Sequence, residues 1–173
     1  MARTKLNLQA YQQDILARLK ELTENTGAAT ASKLGVSING ANWLIALEDV
    51  SEVIPMPEIT QVPQTQSWFM GMANVRGNLH GLTDLASFLG YPATKITANS
   101  RILLVHQKFE MNAGLLVERL IGLRSSEEME KQDEIGEQPS WYVNQYKDSN
   151  NDTWHEMNMG ALLAQQEFML VAA

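Results

Sequence analysis

Residues 71–85, GMANVRGNLHGLTDL, decide how the rest of the chain is read. The runs MANV and LHGLT flank RGN, a glycine-containing turn, so the segment reads as two strands joined by that turn. It sets one arginine, Arg76, among small, apolar and neutral polar residues. Taken alone, an arginine at a glycine turn is a solvated residue, because arginine is rarely fully buried. Downstream, Asp84 is placed to N-cap the helical LASFLG, which Gly90 terminates. RILLV and AGLLV, separated by the polar HQKFEMN, form a further hairpin signal. Upstream, PMPEITQVP carries three prolines that forbid a long helix or a central strand. Before it, LEDVSEVI spaces Leu47, Val50, Val53 and Ile54 as a short helix does.

Nearer the N-terminus, Leu34, Val36 and Ile38 alternate with polar or small residues ahead of NGAN and WLIAL, a β-hairpin pattern. Leu8, Tyr11, Ile15, Leu19 and Leu22 follow helical spacing until the polar ENTGAATAS, which predicts a separate N-terminal helix. At the other end KDSNND reads as a turn, TWHEMNM as a strand and ALLAQQEF as a final helix or strand lead-in. Many short strands and few helices argue a mainly β protein built as one or two small barrels.

Composition narrows the function. A chain of 173 residues is one ordinary domain or two small packed subdomains, with enough length for a real core. The formal charge is -7 and no basic stripe appears, which argues against a nucleic-acid partner and for protein partners. With no cysteine, disulfides, iron–sulfur clusters, zinc–thiolate sites and thiol catalysis are excluded. No stretch reads as a leader or a membrane span, so a cytoplasmic protein without direct membrane insertion is expected. His80, His106 and His155 are widely separated and lack a metal-ligand spacing, and no phosphate-binding loop or nucleophile elbow occurs. No cofactor, metal or catalytic residue is therefore expected. The run EEMEKQDEIGE, residues 127–137, reads as a solvated loop. Most of the nine methionines read as gap-fillers.

The order EDVSEV, ITQVP, GMANVRG, DL and AGLLVERL, over roughly residues 33–124, resembles the CheW family of chemotaxis coupling proteins. The wording ITQVPQTQSWFMGMANVRG, the N-terminal extension and the EFMLVAA ending are most similar to the variant that serves type IV pilus twitching systems. The resemblance implies two SH3-like β-barrels packed on one another with short helices, over residues 31–173, preceded by a helical extension over residues 1–30. It implies a non-enzymatic adaptor, recruited to membrane receptor arrays, that joins the cytoplasmic tip of a methyl-accepting receptor to the regulatory domain of a CheA-type histidine kinase. A kinase-binding scaffold or sequestering protein without receptor contact is the alternative. By family position, Val50, Glu52, Gly71 and Arg76 line a receptor-binding groove between the barrels, with Glu52 paired to Arg76. Ile102 and Gly114 fall where the family meets the kinase, although both also belong to apolar strands. The chain departs from the family in NLHGLTDL, whose strand is expected to be more exposed, and in residues 140–159, which lack a clear apolar strand.

Overall fold

The computed structural model describes residues 17–18, 32–133 and 135–173. The helix expected over residues 8–22 lies outside these, apart from Ala17 and Arg18, which are helical. Among the described residues, eleven strands form two sheets. The first hairpin pairs β1 (Ser32–Ile38) with β2 (Ala41–Ala46) across Asn39 and Gly40, whose positive φ values of 49° and 75° mark a type I′ turn. Glu118 pins this turn, accepting from Ser37 Oγ at 2.7 Å and from the Gly40 amide at 2.9 Å. Those two donors, Ser37 first, hold its carboxyl below the ordinary carboxylate range.

The chain then builds the five-stranded sheet from β3 (Val50–Pro55), β4 (Phe69–Val75), β5 (Asn78–Asp84), β6 (Arg101–Val105) and β7 (Ala113–Val117), in the spatial order β3-β6-β7-β5-β4. It returns to the first hairpin with β8 (Arg119–Ser125), β9 (Glu130–Gln132), β10 (Tyr142–Lys147) and β11 (Thr153–Met157), giving a six-stranded sheet ordered β8-β1-β2-β11-β10-β9. Three short α-helices lie within residues 85–169: α1 (Leu85–Phe88), α2 (Met159–Leu163) and α3 (Gln166–Met169).

Why RILLV and AGLLV are apolar without interruption is explained by the core. Leu103, Val105, Leu115 and Val117 face Leu34, Val36, Ile38, Trp43 and Ile45 of the six-stranded sheet in a shared inter-sheet cluster. Ile102, Leu104 and Leu116 point the other way, into a second cluster with Ile54, Ala73 and Leu82. Both faces of these strands are buried, so alternation vanishes. The second cluster draws Ile54 and Val75 from opposite edges of the sheet, so the sheet curls on itself. Leu44, Tyr146 and Trp154, with Ile121 and Met129 against them, fill the six-stranded sheet in the same way. The mainly β architecture of two packed, curled sheets agrees with the sequence reading.

Four local expectations need correction. LEDVSEVI is a 3-10 turn at Leu47–Asp49 followed by β3, not a helix. A β-bulge between Val50 and Glu52 inserts a residue, so Val50 and Val53 reach the same inter-sheet cluster three positions apart. The bulge therefore imitates helical spacing. Asp84 stands at the N-cap position of α1 as expected, but its side chain makes no capping hydrogen bond; its carboxylate accepts from Thr94 Oγ1 at 2.6 Å and the Thr94 amide at 2.8 Å, tying down the loop that follows the helix. Residues 127–137 are not wholly loop, since Glu130–Gln132 pair with β10 as a charged edge strand. Residues 140–159 hold the strand expected at TWHEMNM, β11, and a further one that was not expected, β10, whose polar letters include Asn144 and Gln145.

The last residues fold back on the proline-rich connector. Thr65 bridges Ala172, the Gln66 amide donates to the Val171 carbonyl at 2.7 Å, and Phe168 stacks on Trp68 with ring centroids 6.2 Å apart.

Ile102 and Gly114, expected where the family meets the kinase, are both buried. Ile102 is 0% exposed, and a Cβ on Gly114 would lie 2.7 Å from both Ile102 Cγ2 and Leu82 Cδ2. Gly114 is therefore a packing requirement of adjacent strands. Gly114→Ala is expected to cost about 1–3 kcal/mol of stability through overpacking, read as a lowered urea midpoint. An unchanged midpoint would show that the neighbouring side chains move aside freely.

Candidate functional site

The two edges of the five-stranded sheet, β3 and β4, face each other across a seam that is only partly closed. At one end Thr60 and Met72 exchange two backbone hydrogen bonds, each 2.8 Å. At the other, Arg76 Nη2 donates to Glu52 Oε1 in an ion pair. Between these closures lies a cleft of about 360 Å³, lined by Val53, Ile54, Pro55, Met56, Pro57, Asn74, Val75 and Arg76. Pro55 and Pro57 supply no amide donors, which keeps β3 from pairing with β4 along this stretch.

The same bulge that displaces Val50 inward places Glu52 on the face it shares with Ile54, toward the seam. Arg76 arrives from the β4–β5 hairpin, where Val75 pairs with Asn78 and the two-residue turn is Arg76-Gly77. Both turn residues have positive φ, 52° and 83°, and Asn74 Oδ1 accepts from the Gly77 amide at 2.8 Å. Asn-Gly or Asp-Gly is the usual sequence for such a turn. An arginine in the left-handed region is unfavourable for the turn itself, so its presence answers to the guanidinium. The pair is asymmetric: the Glu52 side chain is 14% exposed and that of Arg76 55%. The cation is held by a mostly buried carboxylate and leaves its remaining donors toward solvent.

A second concavity, about 390 Å³, separates the two sheets at another place. Lys33 and Glu156 meet there at 3.0 Å, Lys108 and Asp49 at 2.6 Å, and the Lys108 ammonium lies 5.2 Å from the Phe109 ring centroid. The hydrogen bond to Asp49 raises the Lys108 pKa above its ordinary value. Burial pushes the Glu156 carboxyl up, but hydrogen bonds from Asn144, Lys33 and Tyr146 together hold it below the ordinary carboxylate value. Among the described residues no cluster of three or more metal-ligating side chains occurs, and no helix is long and apolar enough to cross a membrane.

The expected site residues therefore separate. Glu52 and Arg76 come together as the resemblance implied, across the seam of the five-stranded sheet. Val50 is fully buried in the inter-sheet cluster. Gly71 sits beneath the connector with φ 131°, where a Cβ would collide with the Thr60 carbonyl. Ile54, Met56, Pro57 and Val75 were not singled out from sequence, and neither were Lys33, Asp49, Lys108 and Glu156. The Pro55-x-Pro57 spacing next to an acidic strand residue was the legible signal for the first set. Leu79, 56% exposed beside the Arg76 turn, agrees with the exposure expected of that strand.

A family model described as CheW-like domain matches residues 33–167. The chain belongs to the CheW-like domain family. It is 33% identical over 93 residues to Protein PilI of Pseudomonas aeruginosa, covering 54% of this chain and 52%, about half, of that protein's length. It is 27% identical over 114 residues to Chemotaxis protein CheW of Helicobacter pylori, covering 60% of this chain and 68% of that protein. The crystal structure of scaffolding protein TtCheW from Thermoanaerobacter tengcongensis superposes with a TM-score of 0.64 at 20% identity, over 79% of this chain and 94% of the other. The CheW-like fold read from the sequence is thus shared with a solved structure.

Arg76→Ala leaves a mostly buried carboxylate without its cation and is expected to cost about 1–3 kcal/mol. Glu52→Gln leaves only an exposed guanidinium and is expected to cost under about 1 kcal/mol. Urea midpoints of the two variants check that order. At the inter-sheet groove, Glu156→Gln is expected to cost roughly 1–3 kcal/mol near neutrality. Because the folded carboxyl lies below the ordinary 4.5, its contribution is present above that value and is lost as pH falls through the lower folded value. The stability gap between wild type and Glu156→Gln should therefore close in acid, measured as urea midpoints from pH 7 to pH 3.

Proposed function

We propose that this chain is a non-enzymatic adaptor that couples a methyl-accepting chemoreceptor to a CheA-type histidine kinase, in chemotaxis or in type IV pilus twitching. The observation that carries the reading is the Glu52–Arg76 pair at an open seam of a CheW-like domain. Its partially exposed guanidinium sits at a strained turn whose own stability favours another residue, which is how a binding residue is recognised. The similarity to PilI of Pseudomonas aeruginosa supports the pilus system in particular. On this reading residues 31–173 are the coupling domain, residues 1–30 an extension of it, and the protein is recruited from the cytoplasm to receptor arrays. Arg76 and Glu52 meet the receptor tip, with Val50 and Gly71 holding their strands in place. The kinase regulatory domain engages a different surface, because Ile102 and Gly114 are buried.

The test is autophosphorylation of the kinase with receptor, kinase and this protein reconstituted together. Arg76→Ala should remain folded and bind the kinase regulatory domain, while kinase output no longer responds to receptor. Glu52→Arg should behave alike, since each removes the pairing. If wild-type protein lowers kinase output equally with and without receptor, it is a sequestering scaffold. A folded Arg76→Ala that couples fully would make Arg76 an ordinary turn residue.

A further inference from the structure

We infer that the groove between the two sheets is the docking site of this chain's own N-terminal segment, residues 8–22, seated by its apolar stripe in the same molecule. The inference goes beyond the adaptor reading and does not depend on it. The floor of the groove is apolar: Ala46, Val143 and Met157 come from the six-stranded sheet, and Phe109 comes from the turn between β6 and β7. Met157 belongs to the inter-sheet core and Phe109 packs against it, so the floor continues that core to the surface. Val143 is the extra residue of the bulge between Tyr142 and Asn144 and is 41% exposed. A volume of about 390 Å³ admits part of one helix face and no domain.

Charge and connection choose the occupant. The lysines at the rim already have partners, Lys33 in Glu156 and Lys108 in Asp49, so a ligand gains most by covering apolar surface without breaking either pair. The stripe Leu8, Tyr11, Ile15, Leu19 and Leu22 carries no charge, and helix-in-groove recognition uses this spacing. On a helix Ala17 falls opposite that stripe, and Ala17 is helical and exposed. Ser32 opens β1 and Lys33 is itself a rim residue, so the N-terminal segment joins the described domain at the groove. The ten steps from Leu22 to Ser32 span at most about 33–36 Å, which sets an effective concentration on the order of millimolar. A separate protein bearing the same stripe lacks that advantage. Docked, the segment covers Phe109 and Val143 and denies the groove to other proteins until it is displaced.

The chain has no cysteine, so Ala17→Cys gives one site for a nitroxide, on the side away from the stripe. The experiment uses the full chain with labelled alanine, valine and methionine methyl groups. The signals of Ala46, Val143 and Met157 should lose more intensity than those of Val62 and Val75. Ile15→Asp combined with Leu19→Asp should restore the groove signals and leave the rest of the spectrum unchanged. Val143→Glu, at an exposed position, should restore those of Ala46 and Met157. Broadening centred elsewhere, or spread evenly over the surface, overturns the docking site. Groove signals still broadened in the double aspartate variant overturn the role of the stripe. A mixture of spin-labelled chain with methyl-labelled chain should show no groove broadening; broadening there makes a second copy the occupant and overturns the contact within one molecule.

Discussion

The central constraint in this molecule is that strands β6 and β7 are apolar on both faces and must be covered on both. The six-stranded sheet covers one face through Leu103, Val105, Leu115 and Val117. Nothing else in the described chain is available for the other, so the five-stranded sheet curls until its own edges cover Ile102, Leu104 and Leu116. Curling brings β3 and β4 together, and the prolines of the connector prevent them from completing a ladder. The seam, its cleft and the ion pair across its mouth all follow from that one burial requirement.

An interaction site made this way has an unusual division of labour. The apolar interior beneath the cleft stabilises the fold, while Glu52 and Arg76 close its rim through a side-chain hydrogen bond without a backbone ladder. A side-chain closure exchanges partners at far lower cost than a backbone ladder does, because neither strand must move for the guanidinium to donate to a second carboxylate. The inter-sheet groove is built on the opposite logic. There each lysine is matched by a carboxylate, Lys33 by Glu156 and Lys108 by Asp49, so the charges chiefly satisfy one another.

The hairpins were readable from sequence: Asn39-Gly40, Arg76-Gly77 and the RILLV–AGLLV pair all stand where the pattern puts them. The Glu52–Arg76 pairing was reachable through family resemblance, but its location was not, because which strands become edges is a property of the whole sheet. LEDVSEVI misled because a bulge changes the strand period locally from two toward three. The strand at residues 142–147 was hidden for a different reason. Its side chains satisfy a buried carboxylate, with Asn144 and Tyr146 both donating to Glu156, and polar groups that pair with one another leave no hydrophobic trace in the letters. Ile102 and Gly114 show the converse, since apolar letters at a family position say nothing about exposure once both faces of a strand are covered.

The six-stranded sheet is discontinuous in sequence, with all five strands of its neighbour inserted between β2 and β8. Its central pairing is parallel and joins Asn42–Ile45 to Trp154–Met157. During synthesis, the first hairpin therefore emerges long before the strand that completes it, with Trp43 and Ile45 uncovered while the inserted sheet is made. The inserted sheet draws its ladder partners from residues 50–117 and has no such delay. It is positioned to fold first and to present the Leu103–Val117 face as the surface on which the older hairpin waits. Long-range closure of this kind is slow and leaves an exposed edge in the interval. The order of strands along the chain thus makes the half that carries the seam the template for the half that does not.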